Sequence, residues 1–148
     1  MPIYQKTLSF LASALRDEPP PFDGSALTEQ EWVDILLPAK KMGFAHVIMG
    51  KALKSGWFKG SFKTKAETFF AGTLYAFEKM RGELALLTDA FSQNGIPYIP
   101  LKGAVLAEVY PEPYMCLSGD IDVLVKPEDV DKAVDLLKAS YGYTFVQR

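Results

Sequence analysis

The sequence is poor in the residues that build cystine scaffolds and zinc sites: it holds one cysteine, Cys116, and one histidine, His46, in 148 residues. A lone cysteine forms no internal disulfide, so a reducing, cytoplasmic location is the expectation. Zinc sites made of several cysteines and histidines are excluded as well. His46, within "FAHVIM", is expected as a helix residue near the surface or as a satisfied core group. No apolar run approaches the ~20 residues that cross a bilayer, and "MPIYQKTLSF" lacks the basic flank and long apolar stretch of a secretion signal. No internal repeat or low-complexity segment breaks the chain. Net charge is small, at −2, yet unevenly spread. Seven lysines (Lys40, Lys41, Lys51, Lys54, Lys59, Lys63 and Lys65) occur with no acid among them. A solvated lysine-rich surface accounts for them. An anionic partner such as RNA is the sharper alternative, weakly supported because no arginines interleave.

What is present suits a globular protein. Apolar residues make up 49% and charged residues 23%, enough for one ordinary domain or two small units sharing a core. The first two thirds read as helices. Tyr4, Leu8, Leu11 and Leu15 recur at spacings of four, three and four and predict one apolar stripe. "DEPPPFDGS" ends that helix, because consecutive prolines remove donors and forbid helical angles before them. Thr28 and Glu31 form a capping-box pattern ahead of Trp32, Ile35 and Leu36, and Pro38 is expected to kink or restart the helix. A further helix through Val47, Ile48 and Leu53 is expected to end near Gly56. From Lys63 to Asn94, Phe70, Leu74, Phe77, Leu84, Leu87 and Phe91 keep a helical period, and Asn94–Gly95 supplies the stop. That aromatic stripe is read as core.

After Gly95 the pattern alternates. "IPYIPL" reads as a strand pushed toward a sheet edge by Pro97 and Pro100, "GAVLAEVY" as a short helix, and "DIDVLV" as a strand. "PEDVDKAVDLLKAS" reads as a helix with Pro127 in its first turn, acids early and Lys138 late, and "YTFVQR" as a last strand. The expected class is α+β: a helical N-terminal region, 1–94, followed over 95–148 by a small, partial sheet flanked by helices.

The strand "DIDVLV" places Asp120 and Asp122 on one face, because side chains alternate along a strand. At ~6 Å and an effective dielectric near 20 their repulsion is about 2–3 kcal/mol, and in bulk water below ~1. A half-buried pair therefore wants a cation, and a fully wet pair does not; both readings stay open on spacing alone. A second triplet, Asp129 to Asp131, lies on a predicted helix, where positions two apart diverge, and reads as first-turn acids. Upstream, "PLKGAVLAE" puts Gly103 where a strand hands over to a helix. A missing Cβ and free N–H groups there suit phosphate oxygens, and Lys102 adds a mobile positive charge. An ordinary turn explains the same residues.

Gly95 to Tyr143, "GIPYIPLKGAVLAEVYPEPYMCLSGDIDVLVKPEDVDKAVDLLKASYGY", resembles the core of the uncharacterised nucleotidyltransferase family, within the DNA polymerase β-like nucleotidyltransferase superfamily. The shared pattern is an LKG turn, a short helix ending in Tyr-Pro, then G-D-I-D-x-L-V and a P-E-D helix. "EWVDILLPAKKMG" is more loosely similar to that family's helical N-terminal portion.

The resemblance implies a two-metal transfer of a nucleotide from a nucleoside triphosphate to an acceptor hydroxyl. Asp120 and Asp122 would be the catalytic, magnesium-holding acids, and Gly103 with Lys102 would sit against the phosphates. Three positions depart from the pattern. Cys116 stands where the family has an arginine, and Pro100 replaces an apolar strand residue. The third carboxylate, expected beyond Tyr143, is not met before Arg148, which leads us to expect a fragment or a chain without the catalytic base. The alternatives are a non-catalytic nucleotidyltransferase-fold interaction module and, third, a glycosyltransferase with a metal-binding D-x-D. The acceptor is unidentified, and an unpaired "YTFVQR" edge would favour self-association.

Overall fold

The computed structural model describes residues 2–144 and 146. Four helices come first: α1 (Ile3–Leu15), α2 (Glu29–Lys41), α3 (Ala45–Lys54) and α4 (Gly60–Gln93). The remainder is β1 (Tyr98–Leu101), α5 (Gly103–Leu106), β2 (Asp122–Val125) and α6 (Val130–Tyr141), with short 3-10 turns between them. The α+β class is therefore the observed one, with the helices N-terminal and, among the described residues, one two-stranded antiparallel sheet.

The helix signals act as physical chemistry requires. Thr28 caps α2 by accepting from the Glu31 amide at 3.3 Å, while the Glu31 carboxylate accepts from the Thr28 amide at 2.9 Å. That exchange satisfies two of the donors that a helix start leaves open. Pro38 does not restart α2: the helix runs through it to Lys41. Proline there removes one intrahelical hydrogen bond, that to the Asp34 carbonyl; Asp34 and Pro38 are both half-buried, off the side on which Trp32, Ile35, Leu36 and Ala39 are buried. The stripe on α1 is also corrected. Tyr4 and Leu8 face solvent, and the buried side is Thr7, Phe10, Leu11 and Ala14. Thr7 turns the helix: its hydroxyl donates to the Ile35 carbonyl at 3.1 Å, docking α1 on α2 through a polar contact.

Two apolar clusters result. The larger joins Phe10, Trp32, Ile35, Val47, Ile48 and Phe58 across α1–α3 and the approach to α4. Several of its rings meet edge-on, Trp32 and Phe58 with centroids 4.9 Å apart. His46 is buried there, its Nε2 3.1 Å from the Met115 carbonyl, which makes it the satisfied core group. The smaller cluster joins Leu87 and Phe91 of α4 to Ile96 and Ala133, with Tyr98, Val123 and Val125 of the sheet against them. At 34 residues α4 is about 50 Å long and serves both.

The sheet pairs Tyr98 with Val125, Ile99 with Leu124, Pro100 with Val123 and Leu101 with Asp122. Both strands are shorter than expected and both are edges, the setting that suits Pro100 within β1. One face lies on α4 and α6. The other sends Ile99, Leu101 and Leu124 toward solvent. The expected strand at 143–148 falls partly outside the described residues. Tyr143, Thr144 and Val146 lie in no strand, and the Tyr143 hydroxyl instead donates to Glu83 at 2.8 Å.

Candidate functional site

Antiparallel pairing brings the two ends of the sequence motif together. Leu101 ends β1 opposite Asp122, which begins β2, so the next residue, Lys102, lies beside the Asp122 carboxylate. Its Nζ is 2.7 Å from Asp122 Oδ2. Lys102 holds a backbone that L-residues rarely adopt, φ +51° and ψ −124°. Such conformations persist only where the surroundings over-determine them, and they gather at functional sites. Asp120 adds a longer-range attraction to the same ammonium. Hydrogen bonding and charge from Asp122, with charge from Asp120, hold the Lys102 pKa above the ordinary lysine range.

The two carboxylates are not on one strand. β2 begins at Asp122, and Asp120 lies in the bend before it. Asp120 is held instead by a local clasp. The Ser118 hydroxyl lies 2.8 Å from the Asp120 carbonyl and 3.0 Å from Asp120 Oδ1, able to donate to either. Ser118 also explains Gly103: a Cβ there would lie 2.6 Å from the Ser118 Cβ. The bare glycine lets the turn before α5 close on the 117–121 loop, so the space opened by the missing side chain is filled by protein. Ser118 is the site residue that motif reading missed; its only signal was its place one residue before Gly119–Asp120.

The helical half fixes the approach to this loop. Met115 is buried in the larger cluster, and its carbonyl accepts from His46. Tyr114 meets Phe70 of α4 edge-on at 5.1 Å. Cys116, where the family pattern has arginine, turns its Sγ to the Gly103 carbonyl at 3.9 Å. A cleft of about 770 Å³ opens between the middle of α4 and the motif, walled on one side by Gly103, Ser118, Gly119 and Asp120 and on the other by α4, including Lys79 and Arg81.

Residues 65–148, more than half of the chain, match the family model described as "Uncharacterised nucleotidyltransferase". The chain belongs to that family. No curated protein and no solved structure matches it. Family membership sets the glycosyltransferase alternative aside.

Asp120 and Asp122 both offer carboxylate oxygens of the kind a hard divalent ion takes; in the structure Asp122 pairs with the Lys102 ammonium and Asp120 with the Ser118 hydroxyl. Magnesium usually takes one or two carboxylates and completes its shell with water and phosphate. Among the described residues no group of three or more His, Cys, Asp or Glu side chains is arranged to hold a metal. Elsewhere, three of the seven clustered lysines are in ion pairs: Lys51 with Asp17, Lys54 with Glu112 and Lys63 with Glu67. No helix among the described residues is long and apolar enough to cross a membrane.

Proposed function

We propose that this nucleotidyltransferase-family domain binds a nucleoside triphosphate with magnesium and transfers its nucleotide to an acceptor hydroxyl. One observation carries the reading: the register that sets Leu101 opposite Asp122 brings the Lys102 ammonium to 2.7 Å from the Asp122 carboxylate, two residues after Asp120, at the Lys102–Gly103 turn. Asp120 and Asp122 would hold the magnesium, which when bound neutralises the phosphates and acidifies the acceptor hydroxyl.

The remaining roles belong to the chain itself. Lys102 is largely exposed on a flexible four-carbon stem, so its ammonium can leave Asp122 for a phosphate oxygen. Its strained backbone fixes where that stem starts. Ser118 orients the Asp120 carboxylate, as a hydrogen-bonding partner behind a ligand does, and its packing on Gly103 ties the two halves of the motif together. In the transfer, the acceptor oxygen bonds to the α-phosphorus, the α–β bridge breaks, and pyrophosphate and the acceptor proton are released. Positioning and charge neutralisation carry such chemistry, with little covalent work for the protein.

A second reading, a family module that binds without catalysing, is favoured by one contact: the 2.7 Å Lys102–Asp122 pair satisfies that acid without any metal. Calorimetric titration of ATP, GTP, CTP and UTP, with and without magnesium, against the chain and Asp122→Asn tests the proposal. It expects magnesium-dependent binding that weakens roughly tenfold or more in the variant. Affinity indifferent to both magnesium and the substitution would overturn it.

A further inference from the structure

Triphosphate chemistry at Asp120 and Asp122 leaves most of the adjoining cleft unexplained. On α4 the side chains of Phe77, Met80 and Leu84 follow one another along a single face and line the cleft. All three are half-buried, unlike Leu87 and Phe91 further along the helix, which close the smaller core. They are apolar surface that the fold does not use. Leu117 and Ile121 face the same space from the motif side.

We propose that this cleft seats the nucleobase and ribose, with α4 as the base-binding wall. The inference rests on the triphosphate reading above and extends it to the other end of the ligand. Three observations support it. Gly103, Ser118 and Asp120 wall the same cavity, so a nucleotide whose phosphates lie at that turn has the cleft as the space for its remainder. Its volume of about 770 Å³ falls within the ~300–1,000 Å³ of small-molecule sites. The lining suits a flat heteroaromatic ring carried by a polyanion: Arg81 lies over the Phe77 ring, its guanidinium 5.8 Å from the centroid and paired with Glu78 at 3.1 Å, so a planar cation and an aromatic ring together offer a stacking surface. Met80 is a polarizable, adaptable neighbour, and Lys79 adds a second positive charge.

Ala85 and Ala76 line the cleft from exposed positions on α4, so a large side chain at either fills the space without disturbing a core. Ala71, exposed on the same helix and outside the cleft, is the control. The ligands are the tightest-binding nucleoside triphosphate and inorganic tripolyphosphate, each with magnesium; the second has the phosphates and no base. Ala85→Trp and Ala76→Trp are expected to weaken the nucleotide by roughly tenfold, the scale of a lost base-stacking contact, and to leave tripolyphosphate unchanged. Ala71→Trp changes neither. Nucleotide affinity unaltered in both cleft variants overturns the inference, as does an equal loss of tripolyphosphate binding; loss of transfer alone, with nucleotide binding intact, would give the cleft to the acceptor and overturn it too. A wild-type chain that binds neither ligand removes the triphosphate reading itself, and the base site with it.

Discussion

Residues of α1–α3 and residues of the β1–α5–β2 segment are covered to very different degrees. Phe10, Ile35, Val47, Ile48 and Ala52 are all 0% exposed, whereas Ile99 and Leu124 are 58% and 56% exposed. Among the described residues each half holds one positive-φ residue other than glycine, Asp17 in the loop after α1 and Lys102 between β1 and α5, and only Lys102 lies at the candidate site. The helical half thus concentrates packing, while the motif half spends residues on charge and open surface. The site stays in register because α3 and α4 hold Met115 and Tyr114 from outside it. Stability and candidate chemistry sit largely in separate residues, joined by a few contacts.

The division predicts that substitutions on each side act on different observables. The largest stability effect belongs to Phe10→Ala, whose ring contacts Phe22, Trp32 and Trp57. It should cost about 3–5 kcal/mol in urea unfolding followed by tryptophan fluorescence, and a loss below ~1 kcal/mol would erase the contrast. In the smaller core Val123→Ala should cost only about 1 kcal/mol, since that side chain is half-buried. A larger loss there would put the motif half on an equal footing.

Lys102→Gly sharpens the division by moving two observables in opposite directions. Glycine adopts φ +51° without the Cβ penalty, so the melting temperature should rise by roughly 2–4 °C, while magnesium–nucleotide affinity falls. A fall in both would mean that the ammonium chiefly stabilises the fold. The smallest effect concerns His46. Burial holds its pKa below the usual 6.5, so the unfolded chain takes up its proton first as pH falls. Its contribution is complete above pH 6.5 and is lost progressively as pH drops through the lower folded-state value. His46→Gln, which keeps a donor for Met115, should flatten that limb of the stability–pH curve, and an unchanged slope would assign the limb to other groups.

Local signals were legible in the sequence where one short segment decides the outcome. Thr28 and Glu31 marked the start of α2, Asn94–Gly95 the end of α4, and Pro127 with its neighbouring acids the approach to α6. Thr7 escaped notice because a count of apolar spacing passes over a hydroxyl whose acceptor, the Ile35 carbonyl, lies 28 residues away. The site shows the same limit. Asp120, Asp122, Lys102 and Gly103 were recognisable as residue types, but their relations depend on the register that sets Leu101 opposite Asp122. So the ion pair of Lys102, the bend holding Asp120 and the packing of Ser118 on Gly103 emerged only with the fold. On α4, Phe77 and Leu84 fitted a core stripe; only a neighbouring wall turns them into cleft lining, and the charges of Lys79 and Arg81 around Met80 were the available hint.

Electron paramagnetic resonance of manganese, a spectroscopic substitute for magnesium, is the most direct test of whether Asp120 and Asp122 jointly hold a divalent ion. In the presence of a non-hydrolysable nucleoside triphosphate, the wild-type chain should convert free ion to protein-bound ion, and the Asp120→Asn/Asp122→Asn double variant should leave the signal that of ion and nucleotide alone. Identical spectra from the two proteins would contradict the account.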